Sequence, residues 1–429
     1  MQNNIDFINT PVVDVVNRII LDSAKIGASD IHFDHTDHCL KVRIRIDGVL
    51  NDYADIPNEV KNNVITRIKI LSGMNITETR LPQDGAIKTE LGGLNLDMRV
   101  SSLPTKKGEK IVIRILDYSR SLQGIEYLYF SEDNYKKVIK MIAAPNGIIL
   151  VTGATGSGKS TTVYSFLQKL NVKGTNLITV EDPVEMDIEG INQVQVNSDI
   201  GLDFATVLRS ILRQDPNVIM IGEIRDSETA QIAVRAAITG HLVLSTLHTN
   251  NSLTTIERLL DMDVERYLLA SALTGIVSQK LARKLCDNCK KVRATTSYEK
   301  EMFKKFLNLD VEQIYDAVGC PHCSSGYRGR IALQEVLLIS PEIRDAINAR
   351  IPKAKLRELV YSSDVITLLQ DGLYKVIAGL TSITEVIKLT EADDEVNAEE
   401  KIKNTMMTEE EKQKEEDIIE NQIENAFQE

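Results

Sequence analysis

The chain has 429 residues, 43% apolar and 26% charged, which is enough for two or three domains, each with its own core. No apolar run reaches the roughly 18 residues of a membrane span, and the opening MQNNIDFINT lacks the basic start and apolar centre of an export signal, so a cytoplasmic protein is expected. The net charge of −12 sits at one end: Glu391 to Glu429 holds 15 acidic and 4 basic residues, which leaves 47 acidic against 46 basic before it and argues against nucleic-acid binding by global charge.

In chain order, VVDVVNRIILDSAKI (12–26) places Val12, Val16, Ile19, Ile20 and Ala24 at helical spacing and predicts an amphipathic helix. In LKVRIRIDG, Leu40, Val42, Ile44 and Ile46 alternate with charged residues, which predicts a half-buried strand closed by an Asp47-Gly48 hairpin turn. A helix over 58–71 and the alternating segments LNLDMRV and EKIVIRI complete a small α/β domain over 1–118, followed by a linker at 119–127. The second domain, 128–390, carries four buried strands: IILVT (148–152), LITVE (177–181), VIMIG (218–222) and LVLST (242–246). Helical stretches between them predict a parallel sheet covered on both faces. Residues 340–390 read as helical, and the acidic tail 391–429 as a solvated extension in which Ile419, Ile423, Ala426 and Phe427 form a weak apolar stripe.

The first buried strand runs into Gly153-Ala154-Thr155-Gly156-Ser157-Gly158-Lys159-Ser160-Thr161, with a helical pattern after it. This is G-x-x-x-x-G-K-[ST] in its required context: glycines let backbone N–H groups converge on an anion at a helix N-terminus. Lys159 is expected to reach the outer phosphates of ATP and Ser160 to hold Mg²⁺. Hydrolysis further needs a group that orients water. Glu223, in IMIGEIRD, ends a neighbouring strand at the edge where such sheets bind ligands, and is the candidate. Glu181-Asp-Pro-Val-Glu185 offers further carboxylates for the metal shell or the same water, while Arg209, Arg213 and Arg225 could instead engage these acids in a salt network. His248, at the phosphate edge of the fourth strand, outranks His241 at its far end as a γ-phosphate sensor.

Cys286-x-x-Cys289 and Cys320-x-x-Cys323 are spaced to complete a tetrahedron around Zn²⁺ with no open position, which predicts a structural site with His322 as a bystander. The run DIHFDHTDHC looks like a second metal site, but an extended chain sends His32 and His38 to one side and His35 to the other, so none is expected there and Cys39 is an ordinary thiol.

ITVEDPVE, GINQVQVN, LRSILRQDPNVIMIGEIRD and TGHLVLSTLHTN closely resemble the hexameric ATPases of type II secretion and type IV pilus assembly. NRIILDSAKIGASDIHFD, RLPQDGAI and MRVSSLPTKKGEKIVIRI extend the resemblance over roughly residues 10–390. It implies an α/β protein with a RecA-like P-loop ATPase domain behind a small PAS-like α+β domain. It also implies a homo-hexamer that passes ATP-driven motion to an inner-membrane platform protein. By the same matching, Glu185 falls in an aspartate box, Glu223 in a Walker B segment, His241 and His248 in a histidine box, and Arg99 and Arg114 where arginines close over the phosphates. The tetracysteine element (286–323) belongs to assembly and secretion motors rather than retraction motors. Asn217 stands where the family has Asp, and the extra N-terminal domain of longer members has no counterpart here, so another docking surface or anchor is expected. The leading expectation is a pilus-assembly motor; a type II secretion or DNA-uptake ATPase and, remotely, a nucleic-acid translocase stay open.

Overall fold

The computed structural model describes residues 6–116, 124–362 and 364–390; most of the linker and the acidic tail lie outside these. The first unit contains α1 (Val12–Lys25), β1 (Ala28–His35), β2 (Cys39–Ile46), β3 (Val49–Pro57), α2 (Asn58–Leu71), β4 (Gln83–Leu91), β5 (Leu94–Thr105) and β6 (Gly108–Leu116). Its six strands lie in the order β3-β2-β1-β6-β5-β4, with every neighbouring pair antiparallel. The unit is therefore α+β, as the resemblance implies. Asp47 and Gly48 both take positive φ, 49° and 86°, as a two-residue hairpin turn between β2 and β3 requires.

One face of this sheet is apolar. Ile31, Phe33, Leu40, Val42, Met98, Ile111 and Ile113 pack with Val16, Ile19 and Ile20 of α1 and Val64 and Ile68 of α2. The alternating residues leave Asp30, Asp34, Arg43 and Lys110 on the other face, where Arg43 and Lys110 both pair with Asp34. Inside the unit, Lys69, 1% exposed, holds Glu109 at 2.8 Å and the Glu78 carbonyl at 2.7 Å, and Ser102 also donates to Glu109 at 3.1 Å.

The second unit begins with α3 (Glu132–Ile142) and continues through β7 (Gly147–Thr152), α4 (Lys159–Leu170), β8 (Leu177–Glu181), β9 (Asn192–Gln195), α5 (Phe204–Ile211), β10 (Val218–Ile221), α6 (Ser227–Ile238) and β11 (Leu242–Leu247). After α7 (Ser252–Asp261) and α8 (Arg266–Ala272) come β12 (Leu273–Leu285), β13 (Lys291–Ala294), α9 (Ser297–Leu307), β14 (Gln313–Asp316) and β15 (Tyr327–Leu338). Helices α10 (Pro341–Asn348), α11 (Lys353–Ser362), α12 (Leu368–Ile377) and α13 (Ile383–Thr390) close it.

The seven-stranded sheet runs β15-β12-β7-β11-β10-β8-β9, parallel throughout except for β15 on β12. Successive side chains of β7 enter opposite cores: Ile148 and Leu150 pack with α5 to α8, Ile149 and Val151 with α3 and α4. A strand buried on both faces has to be apolar at every position, which is why these strands read as unbroken runs. Each such side chain contributes roughly 1.5–3 kcal/mol. β10 does not lie beside β7, because β11 is inserted between them.

The Lys69–Glu109 pair gives a stability test. Lys69→Ala strands a buried carboxylate and is expected to cost about 3–5 kcal/mol, read as an earlier denaturant transition, whereas the double change Lys69→Met/Glu109→Leu recovers most of it.

Candidate active site

The loop after β7 turns at Gly153, where an added Cβ would lie 2.3 Å from the Gln279 carbonyl oxygen. It enters α4 through Gly158 at φ 89°, a conformation that favours glycine. Ala154, Thr155 and Gly156 form the exposed crown, and Ser160 is exposed at the first turn of α4 with Thr161 beside it. Lys159 is 9% exposed and donates from Nζ to the carbonyls of Gly153 at 2.8 Å and Ala154 at 3.1 Å. Burial pulls its pKa below the usual lysine range, and the Glu223 charge works against that shift.

Glu223 leaves the end of β10 after Gly222, whose N–H bonds the Val180 carbonyl of β8 at 2.8 Å. Ser245 and Thr246 of β11 donate to the carbonyls of Ile221 and Gly222 at 2.8 and 2.7 Å, which fixes the point where the carboxylate departs. Its Oε1 accepts from Arg225 and its Oε2 lies 3.3 Å from His248 Nε2. Burial on its own would raise the carboxyl; Arg225, then His248 and Lys159, outweigh it, and the net direction is down. Lys159, Glu223 and His248 thus share one edge of the sheet. His241 sits at the other end of β11 with Nδ1 2.9 Å from the Ala236 carbonyl oxygen, a structural contact.

The aspartate-box carboxylates divide. Glu181 is 3% exposed and accepts from Tyr164, from Thr179 at 2.5 Å and from Gln193 at 3.1 Å. Those three donors tie it into the framework, which leaves Glu185 the more open carboxylate of the segment. Burial, then the Glu181 charge, pushes the Tyr164 hydroxyl above its ordinary range, and that oxygen also accepts from the Glu185 N–H at 3.2 Å. Glu185 itself is half exposed and pairs with Arg99 at 3.2 Å. Of the arginines considered for a salt network, Arg225 bridges Glu223 and Asp182, Arg209 pairs with Glu228, and Arg213 bonds the Arg209 carbonyl.

Arg99 and Arg114 stand directly opposite each other on β5 and β6. Arg114 pairs with Asp30 at 3.1 Å, and Arg99 also donates to the Val184 carbonyl at 3.2 Å. Both line a cavity of about 710 Å³ between the two units, with Asp30, Asp97, Pro183 and Val184. Their partners among the described residues are these groups and not the phosphate loop.

The four cysteines converge at the far end of β12. Sγ separations are 3.9 Å for Cys286–Cys320, 3.7 Å for Cys289–Cys323 and 3.6 Å for Cys320–Cys323. Zn–S bonds of about 2.3 Å in a tetrahedron require edges of about 3.8 Å, so the thiols fit that ion. His322 is not in the cluster, and among the described residues this is the one group of three or more His, Cys, Asp or Glu side chains whose ligand atoms converge.

A family model described as "Type II/IV secretion system protein" matches residues 8–388. The chain belongs to that family. It is 45% identical over 403 residues to the putative type II secretion system protein E of Escherichia coli K12, covering 93% of this chain and 81% of the relative. It is 43% identical over 387 residues to the type IV pilus assembly ATPase PilB of Pseudomonas aeruginosa, covering 89% of this chain and 68% of the relative. The solved pilus retraction motor PilT with bound ADP superposes with a TM-score of 0.60 at 25% identity, covering 89% of this chain and 98% of that one.

Within this family frame, sequence reasoning missed three residues. Tyr164 and Gln193 hold Glu181, and Gln279 on β12 touches the phosphate loop at Ser157. The signal for Gln279 was a polar pair, Ser278-Gln279, directly after the apolar Ile276-Val277, since a buried amide must have partners.

The cysteine geometry carries a direct test. The purified chain is expected to contain about one zinc per polypeptide. Cys289→Ser should lower that content, and elemental analysis with a thermal melt checks both.

Proposed function

We propose that this chain, an ATPase of the type II/IV secretion family, is the hexameric motor that powers pilus assembly from the cytoplasmic face of a cell membrane. Supporting the reading above all is the meeting of Lys159, Glu223 and His248 at the edge of the sheet where the phosphate loop opens. The relatives include both a pilus-assembly ATPase and type II secretion proteins, and the 45% identity to the latter supports a second reading as a secretion motor. The cysteine cluster suits either machine. No helix among the described residues is long and apolar enough to cross a membrane, so force would pass to an inner-membrane platform protein by contact. No direct nucleic-acid partner is part of this reading.

ATP would bring phosphate oxygens to Lys159, replacing the two carbonyls it now holds. Residues 153–161 would cradle the phosphates, and Ser160 would hold Mg²⁺, which supplies positive charge to the phosphates. Glu223, kept ionised by Arg225 and His248, is the base that orients water. His248 would report the terminal phosphate to that base. Glu185 anchors Arg99, and Arg99 and Arg114 bring permanent charge to close over the nucleotide. Lys159→Ala and Glu223→Gln are each expected to lower ATP turnover by about 100-fold or more in folded protein. Parental turnover in both would sink the assignment.

Arg225 allows a pH test. It holds the Glu223 carboxyl below the ordinary range, so Arg225→Ala lets that pKa rise. The base is needed ionised, so the acid limb of the kcat profile should move to higher pH. A limb that stays in place excludes Glu223 as the titrating base.

A further inference from the structure

We propose that Gln279 is a positioning residue for the phosphate loop, setting the direction of its backbone N–H groups from the neighbouring strand. The inference rests on the loop being the nucleotide site. Gln279 lies inside β12, 1% exposed, where a primary amide is costly unless both ends are matched. Both are. Its Nε2 donates to the Ser157 carbonyl at 2.8 Å, and its Oε1 accepts from the Thr162 hydroxyl at 2.8 Å. The amide has one sense: a carbonyl needs a donor, so the flipped rotamer would set oxygen against oxygen at Ser157.

The residue reaches the loop at three places. Its own carbonyl oxygen fills the space a Cβ on Gly153 would need, at 2.3 Å, and its Nε2 lies 3.1 Å from where a Cβ on Gly158 would stand. Through Thr162 it also grips the first turn of α4. The contact at Ser157 has a directional consequence. The Ser157 carbonyl and the Gly158 N–H belong to one planar trans peptide and point opposite ways. Drawing that carbonyl toward β12 turns the Gly158 N–H away from β12, the orientation in which it is free for an anion. Without the amide donor the peptide can rotate and leave the cradle one N–H short before any ligand arrives.

The same sheet face carries Gln334, the direct cross-strand partner of Gln279 on β15. Its Nε2 donates to the Leu128 carbonyl at 3.1 Å, and its backbone N–H is held by the buried Asp371 at 2.8 Å. β12 is thus pinned from its other side and gives Gln279 a fixed base from which to hold the loop.

The test uses the full chain with Mg²⁺ and either ADP or ATP, reading dissociation constants by calorimetry, KM and kcat, and the melting midpoint without nucleotide. Gln279→Met keeps the length and removes both bonds. It is expected to weaken nucleotide affinity about tenfold, or ~1.4 kcal/mol, with KM rising accordingly, measured at a temperature where the variant is fully folded because the two lost bonds also lower the nucleotide-free midpoint. Thr162→Val, which removes one bond, should lose about threefold, ~0.65 kcal/mol on the same scale. A purely structural glutamine would lower the midpoint and leave affinity in the folded protein unchanged, and that result overturns the proposal. If Gln279→Met does not fold, Gln279→Asn, one methylene short of its partners, is decisive: weakened affinity supports the inference and parental affinity ends it. Lys159→Ala separates the two levels. If it binds nucleotide as the parent does, the reading of the loop fails and takes this inference with it; if it alone weakens binding, only the role of Gln279 falls.

Discussion

Parallel pairing fixes the site before any side chain is considered. Register sets Thr152 of β7 beside Leu247 of β11, and Ser245 of β11 beside Ile221 of β10. Three strands running in one direction must end on one edge, so the phosphate loop, His248 and Glu223 emerge together. Strands are about 4.8 Å apart, and β11 between β7 and β10 separates loop and carboxylate by about 10 Å. That gap suits the reading proposed above: Lys159 and Glu223 sense each other's charge without pairing, and a phosphoryl group with its attacking water needs such room. A direct ion pair would have closed the site on itself.

Arg225 and His248 instead take the two oxygens of Glu223. Both partners are at least half exposed, so these contacts are screened and individually weak. They can hold the carboxylate ionised and oriented, yet yield when ligand arrives. Glu181 shows the contrary case four residues before Glu185. Buried and accepting three hydrogen bonds, it is part of the framework that shapes the segment, and its removal from Tyr164 would disturb the Glu185 backbone through the same hydroxyl.

The difference between these carboxylates explains what was legible in the sequence. Motifs with strict backbone demands were readable: the loop with its glycines, the turn at Asp47-Gly48, the paired cysteines, and β7, β8, β10 and β11 as apolar runs imposed by two buried faces. β12 and β15 were not, because Ser278, Gln279, Lys280, Arg283 and Lys284 interrupt the apolar pattern of the first. Four of the five answer to something distant in sequence: Ser278 to Thr152, Gln279 to the loop, Lys280 to the Leu389 carbonyl, Arg283 to Glu385. Periodicity reports the environment of a face, and a strand whose neighbours change along its length has no single period to show. Two of the three donors to Glu181, Tyr164 on α4 and Gln193 on β9, are likewise out of reach of any local pattern.

The two units are tied differently from the way each is built. Within the first, charges such as Lys69 and Glu109 are buried and matched. Between the units, the polar ties include Arg99 with Val184 and Glu185, and Asp47 with the Gly329 N–H at 2.7 Å. Arg99 and Glu185 are about a third exposed or more, and such a pair contributes on the order of 1 kcal/mol or less. A tie of that size is readily exchanged, and the exchange has a natural partner: a phosphate offers guanidinium the same forked oxygen acceptors as a carboxylate. The cavity beside Arg99 and Arg114 leaves both heads room to change partner without unpacking either core. On the reading proposed above, motion of the first unit against the second would exchange surface ties such as these, which suits the joint between the moving parts of a motor.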